Sequence, residues 1–247
     1  MIKKLRQLLN RGWMVKLKST KANYHDILTR LRENKPFTFS RWGDGEWEAV
    51  LSLKNQNEAN CDGHQYFDSM RDELKKIIIK KVPYMLGMQR LAYHKMMGRK
   101  IDHFLKSNNI KAHDLWWVDA DVFHDASMDG RIHSLFDELK KKNIILVGPA
   151  YLKEFRHFNF DFVEVPLVNA WTERDRIMND IEAITAKKQI DAVLFCAGMT
   201  SNWLVDQLHG KFSGFILDIG SLLDPFVGKK TRNYHKKLGK KYQELDA

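Results

Sequence analysis

A chain of 247 residues, 44% apolar and 29% charged, is long enough to bury a sizeable core and too balanced in composition to be disordered throughout. Its net charge of +10 implies something anionic as partner, whether nucleic acid, membrane surface or phosphorylated substrate. Two cysteines, Cys61 in a polar stretch and Cys196 in an apolar one, exclude a disulfide framework and fit a reducing, cytoplasmic compartment; no apolar run approaches the ~18 residues of a membrane span.

Residues 1–35 read as a basic helical arm. Ile2, Leu5, Leu8 and Leu9 recur at helical spacing among Lys3, Lys4, Arg6 and Arg11, a stripe that either packs on the domain or lies on an anionic membrane. Arg11 and Lys16 interrupt it, unlike the continuous core of a signal peptide. Residues 23–35 form the next expected helix, ended by Pro36.

FTFSRWGDGEW, residues 37–47, reads as a strand, a tight turn at Gly43 and Gly45, and the start of a helix. Asp44 and Glu46 share one side only if the backbone between them is extended, because on a helix they diverge by roughly 200°. Converging from a loop they would need a cation, and Mg²⁺ or Mn²⁺ suits carboxylate oxygens, with Gly45 leaving the ion open to a ligand. The structural alternative is that Asp44 caps the helix, Glu46 favours its positive end and Arg41 pairs with either.

Residues 55–64 are a polar loop with a turn at Cys61-Asp62-Gly63. Phe67, Met70, Leu74, Ile77 and Ile78 predict a helix over 66–81, followed by a strand at 84–88 and a helix at 100–107. LWWVDADVF, residues 115–123, fits strand or helix, and its Trp116 and Trp117 suit either a sugar-binding surface or core packing. From residue 129 onward helices alternate with nearly continuous apolar strands. That pattern predicts an α/β, Rossmann-like, doubly wound and mainly parallel sheet with helices on both faces, whose ligands bind beyond the carboxyl ends of the strands.

Those ends carry Gly148-Pro149, then Asn169 and Trp171, then Gly198 with Thr200 and Ser201, and finally Asp218 and Gly220. Gly198, Thr200 and Ser201 suit a phosphate cradle at a helix N-terminus, or a plain turn plus cap. Asp218 suits a base, a ribose-binding carboxylate or a cap. No G-x-G-x-x-G follows the first strand and no G-x-x-x-x-G-K-[ST] occurs, which disfavours NAD-dependent and P-loop chemistry; the ten histidines are scattered, without zinc-site spacing. The tail, residues 229–247, is basic. It is a solvated end, or Lys229, Lys230 and Arg232 fold back over a diphosphate, or instead the later lysines touch lipid headgroups. The lysines cluster at the chain ends without aromatic interleaving, so no nucleic acid is expected.

FSRWGDGE, the VGP strand end, VPLVNAW, CAGMTSNWLVDQL and LDIGSLLD, in this order across residues 36–235, resemble the GT-D-fold glycosyltransferases, once a domain family of unknown function. The resemblance implies that residues 36–228 form an enzyme moving sugar from a nucleotide-diphosphate donor, such as a UDP-sugar, to a glycan or glycoconjugate acceptor. Its Asp-x-Glu metal motif falls on Asp44 and Glu46, for Mn²⁺ or Mg²⁺. Arg41, Gly43, Gly148, Asn169, Gly198, Thr200 and Ser201 would line the donor, Asp218 would serve as base or sugar-orienting carboxylate, and Trp42 or Trp171 would stack on a sugar unless used in the core. The chain departs from the family at Gly198-Met199-Thr200, where a Gly-Pro-Thr kind of turn is usual, and at Ser221, where a histidine follows the Asp-Ile-Gly. Glycan assembly at the cytoplasmic membrane face is the expected setting. Two other classes fit the composition: a methyltransferase binding its nucleoside cofactor without metal, and a non-enzymatic polyanion binder.

Overall fold

The computed structural model describes residues 13–232 and 234–238. Ser19 caps α1 (Thr20–Arg32) by accepting the Ala22 amide at 3.2 Å. β1 (Thr38–Trp42) runs into α2 (Asp44–Val50), and after the polar loop come α3 (Asp68–Ile79) and β2 (Met85–Met88). A π-helical turn at Ala92–Met97 leads into α4 (Gly98–Ser107), then β3 (Trp116–Asp119), α5 (Val122–Met128) and α6 (Ile132–Leu139). The remainder alternates as β4 (Ile144–Pro149), β5 (Asp161–Val165), α7 (Arg174–Thr185), β6 (Ala192–Phe195), α8 (Thr200–Leu208) and β7 (Phe215–Asp218), before the short α9 (His235–Leu238).

The seven strands form one sheet in the order β3-β2-β1-β7-β6-β4-β5, with every pairing parallel. Strand side chains alternate between two cores. Ile145, Val147, Val193 and Phe195 join Trp47, Leu74, Ile101, Ile181 and Leu204 on one face. Ile144, Leu146, Ala192 and Leu194 join Ile27, Phe123 and Phe136 on the other. A sheet covered on both faces has no solvent side, which is why its strands read as unbroken apolar runs. The expected Rossmann-like layering is therefore what the chain adopts.

Residues 115–123 divide into the β3 strand and the start of α5, so one segment contains both candidate structures. Trp116 lies at the amino end of β3, with the Arg30 guanidinium 4.9 Å over its ring, and Trp117 packs against the first core. Neither lies among the carboxyl ends of the strands. Within the expected arm, Tyr24, Ile27, Leu28 and Leu31 of α1 are buried in the second core. The Ile2, Leu5, Leu8 and Leu9 stripe lies outside the described residues, as do the later lysines of the tail. Among the described residues no helix is long and apolar enough to cross a membrane.

First and last strands meet at the centre of this sheet. β1 and β7 pair through Thr38 with Ile216 and Phe39 with Leu217, which brings the residues after Trp42 beside those after Asp218. Ser40, buried in β1, accepts a hydrogen bond from Asn202 Nδ2 at 3.1 Å, and the same amide donates to the Arg41 carbonyl at 2.5 Å. Helix α8 is thereby fixed against the strand that carries Arg41.

Candidate active site

Asp218 closes β7 and is buried. Its Oδ2 accepts the Arg41 amide and its Oδ1 the Gly220 amide, each at 3.1 Å. Burial lifts its pKa to about 7; Arg41 opposes the rise and Glu46 adds to it. Arg41 donates from Nε to the Ala120 carbonyl at 3.2 Å, linking the carboxyl ends of β1 and β3. Gly220 has φ +54°, and a Cβ there would lie 1.9 Å from Arg41 Nη1, so only glycine allows the guanidinium this close to the backbone.

Asp44 and Glu46 do not lie in a loop. They occupy the first turn of α2, and Gly43 rather than Asp44 is the N-cap. Glu46 folds back to accept the Gly43 amide at 2.8 Å, half of a capping box, while Asp44 Oδ1 accepts the Gly45 amide at 3.1 Å. The extended backbone that would bring the two carboxylates to one side is therefore absent, and what the first turn of α2 offers is two negative groups near unpaired amides that attract them. Glu46 keeps some exposed surface, yet enough protein surrounds its carboxyl that burial raises its pKa; the Gly43 amide and Arg41 lower it and Asp44 raises it further.

Among the described residues neither Asp44, Glu46 nor Asp218 has a cationic side chain within 4.0 Å, and Arg41 acts on Glu46 and Asp218 from beyond that distance. The three carboxyl groups therefore lack an ion-paired partner, and a proton or a cation would relieve the repulsion among them. Among the described residues no group of three or more potential ligands is arranged for a metal. Two carboxylates in one helical turn offer a cation negative charge without a preformed ligand pair, and an ion there would take most of its shell from substrate phosphates and water, as Mg²⁺ commonly does.

Beside this cluster lies a cavity of about 240 Å³, lined by Arg41, Gln89, Asp121, His124, Ser221 and Arg232 among others. Arg232 arrives from the tail and grips Asp62 of the polar loop with two hydrogen bonds of 2.5 and 2.6 Å. Thr231 donates to Asp224 at 2.5 Å, so the described start of the tail is fastened in place. Tyr234 stacks on His124 with ring centroids 4.0 Å apart. Burial raises the pKa of Asp121, opposed by Arg41 and His124. His124 brings an imidazole from α5 to the cavity that Ser221 also lines.

Asp121 and His124 were not singled out by sequence reasoning. They sit in and just after LWWVDADVF, and only the strand boundary at Asp119 shows that the residues following it belong at the carboxyl edge of the sheet. His64 was missed too, although a polar loop gives no period from which to place it. Its Nδ1 accepts the Asn169 amide at 3.1 Å, leaving Nε2 to carry the proton beside Gly198.

The remaining expected donor residues divide. Asn169, at φ +58°, and Gly198, also at φ +58°, come together around His64; the Asn169 side chain accepts the Gln65 amide at 2.8 Å. Ser201 is different: its buried hydroxyl accepts the Ala197 amide at 3.0 Å and so serves the turn before α8, whose N-cap, Met199, makes no side-chain bond. Thr200 is buried as well. Gly148 lies inside β4, where a Cβ would meet Leu152 at 2.7 Å and Cys196 at 3.2 Å, so its smallness serves packing. Trp42 and Trp171 are both core residues, at 0% and 3% exposure, so of the two roles open to them core packing is the one each takes.

The chain matches the GT-D fold-like domain over residues 18–226. No curated protein matches it. Among solved structures it is similar to a new glycosyltransferase of domain family 1792 from Streptococcus sanguinis, with a TM-score of 0.63 and 13% identity over 94% of this chain and 86% of that one. A selenomethionine-substituted domain of unknown function 1792 gives a TM-score of 0.62 and 15% identity, covering 100% and 87%. A third, described as that highly conserved domain with a distinct glycosyltransferase fold, gives 0.61 and 15%, covering 100% and 86%. Identities this low speak to fold alone, and the family follows from the match across 18–226: the chain belongs to the GT-D fold-like domain family.

Proposed function

We propose that the protein is a metal-dependent glycosyltransferase of the hexosyltransferase class, moving sugar from a nucleotide-diphosphate donor, a UDP-sugar, to a glycan or glycoconjugate acceptor in polysaccharide assembly. The observation that carries this reading is the cluster of Asp44, Glu46 and Asp218, without an ion-paired partner, beside a cavity lined by Arg41 and Arg232. The solved glycosyltransferase of the same fold supports the reaction class.

Mn²⁺ or Mg²⁺ held through Asp44 and Glu46 would supply positive charge to the donor diphosphate as the sugar departs. The chain's own residues do the rest. Arg41 and Arg232 line the cavity and would supply positive charge to the same phosphates, Arg232 while holding Asp62. Asp218, with a pKa of about 7, is matched to taking a proton from the acceptor hydroxyl near neutral pH, and its two backbone hydrogen bonds fix its orientation. The Arg232–Asp62 pair draws the polar loop over the cavity and restricts water there. The protein works at the cytoplasmic face of a membrane, where its net charge of +10 favours peripheral contact with anionic lipid.

The test is release of nucleoside diphosphate from a panel of nucleotide sugars with Mn²⁺ present. Asp44→Asn and Glu46→Gln should each lower turnover by at least ~100-fold, the scale of removing charge stabilisation from a reacting centre. Full activity in both variants would overturn the assignment.

A further inference from the structure

A second and larger cavity, about 650 Å³, opens between the end of α2, the last turns of α3 and the outer face of α4. Its volume lies within the range of small-molecule sites. Val50, Leu51, Ile79 and Phe104 supply apolar surface, and Lys75, Arg99, Lys100 and His103 supply cationic or titratable groups. No acidic residue lines it.

Next to the groove, Arg71 pairs with Asp68, Lys76 with Glu73 and Lys81 with Asp114. Among the described residues Arg99 and Lys100 have no carboxylate partner, and Lys75 donates only to the Ser52 hydroxyl, at 3.0 Å. Within α4, Arg99, His103 and Ser107 follow i, i+4, i+8 spacing with Lys100 beside them, on the side of the helix that lines the groove. Ile79 across the cavity is 44% exposed. Exposed apolar surface beside cations without carboxylate partners is the composition of an interfacial surface, where apolar groups enter the acyl boundary and basic ones meet phosphates.

We propose that this groove seats the protein on an anionic bilayer, one lipid's phosphate held by Arg99 and Lys100 and its apolar part lying on Ile79 and Phe104. Helix α2 joins the two sites: Glu46 stands near its start and Val50 at its end, so the groove lies about 6 Å along the helix from Glu46. Lipid contact here would hold the carboxylate cluster within a helix length of the membrane surface.

The experiment is sedimentation of the full chain with sucrose-loaded vesicles of phosphatidylglycerol mixed with phosphatidylcholine, and of phosphatidylcholine alone. Wild type should bind the mixed vesicles at least ~10-fold more strongly, and Arg99→Glu combined with Lys100→Glu should lose at least ~10-fold of that binding, since each basic group near an anionic surface contributes separately. Ile79→Asp, an exposed position, should lower binding as well without changing the melting temperature. The basic N-terminal arm is common to all forms, so undiminished binding by both variants would overturn the groove as the lipid site. Unchanged vesicle binding together with lost binding to soluble polyglutamate would instead make it a seat for an acidic protein segment and equally overturn the proposal. Neither readout depends on sugar transfer.

Discussion

Glu46 serves two demands at once, and one conservative substitution separates them. Its carboxylate caps the Gly43 amide, and its charge, raised in pKa by burial, sits in the cluster that suits a cation. Glutamine keeps a capping oxygen at the third helical position. Glu46→Gln is therefore expected to leave stability to urea within about 1 kcal/mol of wild type while abolishing metal-dependent donor binding, whereas Glu46→Ala should lose both. Asp218 makes a separate prediction through pH. In the folded chain it keeps its proton to about pH 7, and in the unfolded chain it releases it near its ordinary 3.8. The stability it contributes is full below the lower value and is lost as pH rises through the upper one, by at most about 4 kcal/mol. Urea unfolding in chelator, followed from about pH 4 to about pH 7, should show that decline, and Mn²⁺ should shallow it. A flat profile in chelator would mean that Asp218 is ionised throughout.

At the scale of elements, the site is the meeting of two strand ends far apart in sequence. Gly220 is the residue that lets them meet, because Arg41 occupies the space a side chain would need. Gly220→Ala should cost about 1–2 kcal/mol from its left-handed φ and reduce donor binding by displacing Arg41, measured as a raised Kd with a modest drop in melting temperature. Most elements were legible in the sequence, because two-sided burial leaves continuous apolar strands and amphipathic helices keep their period. The start of α2 was not legible in the same way. Gly43-Asp44-Gly45 carries every local signal of a turn, and only the Glu46 bond to Gly43 shows that the helix begins at Asp44. Asp121 and His124 were hidden for a related reason: two tryptophans obscured the period that would have separated β3 from α5. Ser201 was legible as a residue and ambiguous as a role, since a hydroxyl at a helix start serves a phosphate or its own turn equally well, and here it bonds the Ala197 amide.

For the whole molecule, the basic tail is the feature that sequence could place least, because a run of lysines and arginines carries no period. Its described part is held down by Thr231 on Asp224 and by Arg232 on Asp62, across the cavity. The Arg232–Asp62 pair is partly exposed, so its contribution to stability is at most about 1 kcal/mol, and Arg232→Ala should lower the melting temperature by no more than about 4 °C. Its effect on donor affinity should be larger, about tenfold or more, because the same change removes a phosphate-facing charge. The most direct test of the account as a whole is thermal stabilisation by a panel of nucleotide sugars, with Mn²⁺ and with chelator, on wild type and Glu46→Gln, since binding to the folded state raises its stability. The account expects at least one nucleotide-diphosphate sugar to raise the melting temperature of wild type with Mn²⁺, and to do so neither in chelator nor in the variant; an equal shift in chelator, or no shift with any donor, would contradict it.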